Sequence, residues 1–429
     1  MKRRVFVKQT TAASLAFSAM PLVGLANRAK KHKTALVGSG WWGMNILRYA
    51  IAAGSSKVVA LCDVDKKQLD GAMEEVNKLC NDKPKTYNDY RELLQKEKPD
   101  IVIVATPDHW HPLITIAAVK AGAHVYVEKP IGHTIGEGIA MVKAAKETGK
   151  VVQVGLHRHI SPHNISGMDF LKSGKLGEIG MVRSFVHYGF RDREPVADAS
   201  VPKGLDWDMW CGPAPLVPYN PSIHPKGFRQ FLKFANGQAG DWGVHWFDQI
   251  LWWTEENYPK KVHSTGGRAV RNDNTDAPDH QVITFEFESF TATWEHRLFA
   301  GNPAEKHNIG VYFYGTEGTF HMGWKDGWTF YPNNKNKEII HVDHSLHDPD
   351  GQNIPELWAD FMQAIEKGTT PVADIQQGHY ATNMSLLGML SYKLGRSVNW
   401  DGEKDTIIND AEANKLLKRT YRDPWEYPV

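Results

Sequence analysis

The feature that most constrains this 429-residue chain is a short apolar run that breaks into glycines. Thr34-Ala35-Leu36-Val37 reads as a buried strand. It enters Gly38-Ser39-Gly40-Trp41-Trp42-Gly43, after which Ile46, Leu47, Ala50 and Ile51 recur with a helical period until Gly54. Strand, glycine loop and helix in that order predict the first crossover of a doubly wound parallel sheet. In such a loop Gly38 makes the tight turn, Gly40 lets backbone approach a pyrophosphate, and Gly43 permits close helix–strand packing. The helix N-terminus then faces the phosphates. The next strand, residues 57–62, ends at Asp63, about twenty positions on, where an acid accepts hydrogen bonds from an adenosine ribose. That acid repels a 2′-phosphate, so the expected cofactor is NAD; Lys66 and Lys67 nearby keep NADP possible.

Alternation continues through helix 66–80, a strand near Tyr87, helix 88–97, strand 101–105, helix 111–121, strand 124–127, helix 134–148 and strand 151–154. The pattern predicts a parallel sheet with helices on both faces, whose ligands lie beyond the C-terminal ends of the strands. Three segments fall there: Thr106-Pro107-Asp108-His109-Trp110-His111, Glu128-Lys129-Pro130 and Gly155-Leu156-His157-Arg158-His159. With the glycine loop they supply the candidate cofactor residues Gly38, Gly40, Trp42, Gly43, Asp63, Thr106, Pro107, His109, Glu128, Lys129 and Arg158. His109 and His111 fit a helix cap equally well, and Arg158 fits an ion pair between domains.

Past residue 158 the period changes. A helix at 161–173 and strand-like runs at 181–188, 261–270, 281–288, 291–298, 309–314, 317–322 and 327–331 predict a mostly antiparallel sheet. The expected fold class is therefore α/β: a Rossmann domain at 33–157, an α+β domain with an open sheet at 158–395, and a tail at 396–429. Nine of the 15 tryptophans fall between Trp207 and Trp328. Aromatic faces cover sugar rings well, and Trp210 and Trp242 suit a cleft, whereas Trp252 and Trp253 read as core.

Composition closes off other classes. Net charge is +1, and no basic field marks a nucleic-acid surface. Cys62, Cys80 and Cys211 are too few and too scattered for a disulfide framework. The run from His341 to Asp350 matches neither an HExxH helix nor a calcium loop, so no metal is expected. Arg3-Arg4-x-Phe6-x-Lys8 before a small-residue apolar stretch reads as a twin-arginine leader over residues 1–29, with export to the periplasm and no stable membrane span after processing.

From about Thr34 onward the sequence resembles the Gfo/Idh/MocA oxidoreductases. The marks are the 38–43 loop, Ala105-Thr106-Pro107, Ala121-Gly122-x-His124-Val125, Glu128-Lys129-Pro130, and the Asp-x-x-x-His pair Asp241 and His245. The resemblance implies that Lys129, Asp241 and His245 form the catalytic group, and that the open sheet pairs subunits in a homo-oligomer. Chemistry asks for the same residue types. Oxidising a secondary alcohol needs a proton acceptor, for which histidine is suited, and a cation beside the oxygen. On a helix starting near Gly240, Asp241, His245 and Asp248 share one face. Asp241 also fits an N-cap and His245 a buried core position. Candidate substrate residues are Lys129, Arg158, Trp210, Asp241 and His245. The expected activity is NAD(P)-dependent hydride transfer at a hydroxyl carbon of a sugar, glycoside or cyclitol, with tightly held cofactor. A redox-neutral glycosidase is the alternative, and the Glu128-Lys129-Pro130 tripeptide favours the dehydrogenase.

Overall fold

A computed structural model describes residues 31–189, 194–302, 304–347 and 351–429. The expected leader lies outside them, as do residues 348–350 of the His341–Asp350 run. No helix among the described residues is long and apolar enough to cross a membrane.

The first half alternates β1 (His32–Val37), α1 (Trp41–Ala52), β2 (Ser56–Cys62), α2 (Lys66–Leu79), β3 (Lys85–Tyr87), α3 (Tyr90–Glu97), β4 (Ile101–Val104), α4 (His111–Lys120), β5 (His124–Val127), α5 (Ile135–Thr148) and β6 (Val152–Val154). The strands pair in parallel in the order β3-β2-β1-β4-β5-β6. Every side chain of β4, Ile-Val-Ile-Val, is buried, as a central parallel strand covered on both faces requires. Local chemistry starts the helices. Asp65 and Asp89 cap α2 and α3, and Thr134 with Glu137 forms a capping box on α5. The chain reverses between β1 and β4, opening the crevice into which the strand ends point.

The second half contains α6 (Pro162–Lys172), β7 (Ile179–His187), α7 (Trp207–Cys211), α8 (Val244–Thr254), β8 (Lys261–Gly267), β9 (His280–Glu286), β10 (Thr291–Arg297), β11 (Ile309–Gly315), β12 (Gly318–Gly323), β13 (Trp328–Pro332), β14 (Ile340–Val342), α9 (Ile354–Lys367), α10 (Ile375–Leu394), β15 (Val398–Asp401), β16 (Thr406–Ile407) and α11 (Ala411–Lys415). Its sheet runs β14-β13-β12-β11-β7-β10-β9-β8-β15-β16, antiparallel except where β7 meets β10. Buried and partly exposed residues alternate along β10, so one face packs on the core and the other does not. The fold class is as the sequence predicts. The short elements α7, β14, β15 and β16 were not foreseen, because two to five residues carry too little pattern to register.

Two later segments cross back onto the first half. Residues 205–235 gather a small core of their own around Trp207, Trp210, Phe228, Phe231 and Phe234, with Val64 of the first half packed against it. The C-terminal residues return as a strap. Arg419 and the Tyr421 hydroxyl bond Glu137 Oε1 at 2.8 and 2.7 Å, and Trp425 meets Trp110 edge-on at 4.8 Å.

Candidate active site

The crevice becomes a cavity of about 510 Å³ that runs from the glycine loop to α8. Its floor is the first half; residues 205–235 form the roof, and α8 with the turn before it closes the far end.

The floor begins at Gly38, whose φ of +92° suits glycine, and a Cβ there would stand 2.6 Å from the Ala105 carbonyl carbon. At Gly43 a Cβ would lie 2.0 Å from the Gly38 carbonyl oxygen. Gly40 differs: a Cβ there would meet no protein atom within 4 Å. Only a ligand in the cavity needs that position bare. Gly40 is the N-cap residue of α1 and offers no side-chain cap, so the first amides of the helix are left for an anion. Asp63 lies at the end of β2. Its Oδ2 accepts from the Ser39 amide at 2.7 Å and its Oδ1 from the Asp65 amide at 2.9 Å, which fixes the carboxylate toward a ribose. Burial pushes its pKa up to about 6. Uncapped amides, a bare Gly40 and an aimed acid fit a dinucleotide.

At the other end, Lys129 follows β5 and reaches across to the second half. Its Nζ lies 3.0 Å from Asp241 Oδ1 and donates to the Asp241 carbonyl at 2.5 Å. Arg229 Nε stands 3.2 Å from the same Oδ1. Burial alone would raise the Asp241 pKa, but Lys129 and Arg229 outweigh it and hold the carboxylate ionised. Asp241 is not an N-cap. It sits in a wide π-type turn, Ala239–Gly243, and α8 starts only at Val244. That irregular turn is where an inward functional carboxylate is commonly found.

His245, the second residue of α8, is 5% exposed, and its Nδ1 has no hydrogen-bond partner among the described residues. Burial first, then Lys129, the neighbouring His157 imidazole and Arg158, keeps its pKa well below the usual 6.5, so the imidazole is neutral, the form in which it can accept a proton. Trp324 meets it edge-on at 4.9 Å, and Trp242 lies beside both.

Thr106, Pro107, Glu128, Trp42 and Trp210, all candidates from the sequence, also line the cavity. Three expectations need correction. His109 does not line it: its ring is fully buried, with Nε2 3.0 Å from the Trp210 carbonyl and Phe234 alongside. His111 lines the cavity in its place. Arg158 lies behind the wall, 1% exposed, its guanidinium stacked 3.6 Å over Trp324. It supports the pocket through Trp324 and its charge, without touching the cavity. Asp248 turns away from Asp241 and His245 to bond His159 Nε2 at 2.8 Å.

Asp108, Arg229, His224, Lys226 and Trp324 line the cavity too, and the sequence does not set them apart. Four of them come from stretches without helical or strand period. Asp108 falls in the segment at the C-terminal end of β4, and that position is the sequence signal that could have found it. Burial pushes its pKa up to about 7 against the pull of Arg229 and Lys129.

His307, His321 and Asp326 cluster elsewhere, on the second sheet. The two imidazoles stack at 3.7 Å and 18°, so no nearby point lies in both ring planes, as a shared metal would require.

Residues 32–156 match the family described as oxidoreductase family, NAD-binding Rossmann fold, and residues 178–427 match its C-terminal alpha/beta domain. The chain belongs to the Gfo/Idh/MocA oxidoreductases, an NAD-binding family. A glycosyl hydrolase family 109 protein of Stenotrophomonas maltophilia (strain K279a) is 31% identical over 185 residues, 42% of this chain and 40% of that protein. An alpha-N-acetylgalactosaminidase of Shewanella oneidensis is 28% identical over 167 residues, 38% of this chain and 36% of that one. The matches thus span about two-fifths of the length of these relatives. Among solved structures, levoglucosan dehydrogenase in complex with NADH and levoglucosan superposes with a TM-score of 0.67 at 18% identity, covering 86% of this chain and 99% of that one. At that identity the likeness is one of fold.

Proposed function

We propose that the chain oxidises or reduces a hydroxyl carbon of a sugar, glycoside or cyclitol with a retained NAD. The observation that carries this is the meeting of Lys129, Asp241 and His245 in the cavity that begins at Gly38, Gly40 and Asp63. Bound there, NAD supplies the acceptor for the hydrogen and electron pair that leave the carbon. The protein handles the other proton. His245, neutral, takes it from the hydroxyl, while Lys129 donates to the same oxygen and stabilises its growing negative charge. Asp241 holds the lysine in place and keeps the pair of cations, Lys129 and Arg229, from repelling each other across the pocket. Trp242 and Trp324 offer apolar faces to a sugar ring. The roof supports retention, since residues 205–235 line the cavity opposite the glycine loop and add contacts to a dinucleotide lying there.

The likeness to glycosyl hydrolase family 109 proteins favours a second reading, in which the sugar is oxidised transiently, loses its glycosidic substituent and is reduced again. In both readings residues 1–29 act as a twin-arginine leader, and a homo-oligomer forms through the helix-free sheet face, where Met181 and Val282 are exposed.

Purified protein would be mixed with a panel of sugars and p-nitrophenyl glycosides, with the nicotinamide absorbance and nitrophenol release recorded together. Absorbance change with free sugars supports the dehydrogenase; release without added NAD supports the glycosidase. Neither signal across the panel, from protein that carries NAD, would reject both.

A further inference from the structure

A Rossmann floor offers a pyrophosphate backbone amides and a helix end, but here a cation stands opposite. Lys226 belongs to the roof, yet its Nζ lies 5.4 Å from the ring centroid of Trp41, the first residue of α1. Both side chains line the cavity, and Trp41 is 60% exposed. No acidic partner of Lys226 occurs among the described residues, in contrast to Lys66, which Asp70 holds at 2.6 Å, and Arg229, which Asp241 holds.

The roof is fixed where this matters. The Lys66 amide donates to the Gly204 carbonyl at 2.9 Å, and the Asp206 amide to the Val64 carbonyl at 2.9 Å. His224, two residues before Lys226, places Nε2 2.9 Å from Asp65 Oδ2, just past the ribose-binding end of β2. Asn88 Nδ2 donates to Asp206 Oδ2 at 3.0 Å. These bonds bring the roof to the same strand end that carries Asp63, and they hold Lys226 over Trp41, the residue that follows Gly40 at the start of α1.

We propose that Lys226 binds the pyrophosphate of the dinucleotide from the roof, so that the cofactor's charged middle is clasped between the two halves of the chain. The reading rests on a dinucleotide lying along the floor, as in the family to which the chain belongs. The phosphates carry two negative charges, and the floor answers them with dipoles alone; a mobile ammonium adds the point charge that dipoles lack. Because that charge sits on the roof and the amides on the floor, the cofactor is tied to both halves at once.

The test is binding, read apart from turnover. NADH titration, followed by its fluorescence, is run on wild type, Lys226→Ala and Lys226→Arg across a range of salt, with adenosine as a second ligand that has no pyrophosphate. Lys226→Ala should weaken NADH by about tenfold, in line with a charge-assisted hydrogen bond, and flatten the salt dependence. Adenosine affinity should not change, and Lys226→Arg should restore most of the NADH affinity. An unchanged NADH affinity in Lys226→Ala, or an equal loss for adenosine, overturns the assignment. Wild type that neither carries nucleotide as purified nor binds NADH would instead reject the dinucleotide reading beneath it.

Discussion

The floor and the roof of the cavity are made by different means. The floor's working groups stand at the ends of parallel strands: Asp63 after β2, Asp108 after β4, Lys129 after β5. The fold itself aims them into the crevice. The roof's groups, His224, Lys226 and Arg229, sit on turns held by a separate aromatic core and by bonds to α2. Charge differs as well. The floor's acids gain pKa through burial, whereas Arg229 from the roof joins Lys129 in holding Asp241 ionised. The lesson is that the floor sets where the cofactor lies, and the second half sets the charge and access around it.

The sharpest way to break that division is to remove one proposed catalytic group from each side. Lys129→Ala and His245→Ala should each lower kcat by about 10²–10⁴-fold, the range for loss of an acid–base or charge-stabilising group. The double variant should fall little further, because groups acting on one proton transfer are not additive. NADH titration should show binding retained in all three. Independent, multiplying losses would mean that the floor and α8 do not act on the same oxygen.

A second contrast lies within the floor. Gly43→Ala drives a methyl toward the Gly38 carbonyl and should unfold the loop, while the Cβ that Gly40→Val adds has no protein atom within 4 Å. Gly40→Val should therefore keep its Tm within a degree or two of wild type yet bind NADH at least about tenfold more weakly, since the side chain fills ligand space. Loss of Tm in Gly40→Val equal to that of Gly43→Ala would show that Gly40 serves the fold.

Gly38, Gly43, Asp63 and Lys129 are legible in the sequence because strand and helix periods locate them without tertiary knowledge. Asp241 and His245 are legible as a pair through the family's spacing, although the turn that aims Asp241 is π-type and the expected regular helix would have pointed it differently. Arg158 and His109 mislead for one reason. Both lie in strand-end segments, but a 3-10 turn rotates each ring or guanidinium into the core. Lys226, Arg229 and Trp324 are placed by long-range packing, and residues without period give no local clue to it. The strap is likewise invisible, because Arg419 finds Glu137 across 282 positions.

Acidity separates the two halves by a smaller margin. Asp108, ordinarily near 3.8, is pushed up to about 7 by burial, so the folded chain holds its proton more tightly than the unfolded chain. Its contribution to stability is complete below pH 3.8 and is lost as pH rises through about 7. Asp63, raised to about 6, has the same sign. Asp108→Asn keeps the shape and removes the ionisation. At pH 8 it should stabilise the cofactor-free protein by on the order of 1–3 kcal/mol, and at pH 4 by nearly nothing. Thermal melts at both pH values measure this, and a variant less stable at pH 8 would mean that the carboxylate is stabilised there.

The smallest effect should come from the strap's hold on the roof. Arg422 donates to Asp208 Oδ1 and to the Asp208 carbonyl, both at 2.8 Å, and reaches the carbonyls of Gly212 and Ala214 at 3.2 and 3.3 Å. It thus ties down the turn that carries Met209 and Trp210 into the cavity, without touching the cavity itself. Asp208 is largely exposed, so the ion pair adds little, and the carbonyl bonds account for most of the roughly 1 kcal/mol expected on Arg422→Ala. A roof loosened by that amount should open more often while its closed form is unchanged. NADH dissociation should quicken by about threefold to fivefold, with association and kcat little altered, a factor that follows from about 1 kcal/mol at ordinary temperature. Stopped-flow displacement of bound NADH reads the rate directly. Slower release, or a loss confined to association, would show that the strap does not govern the roof, and that floor and roof open independently of the chain's end.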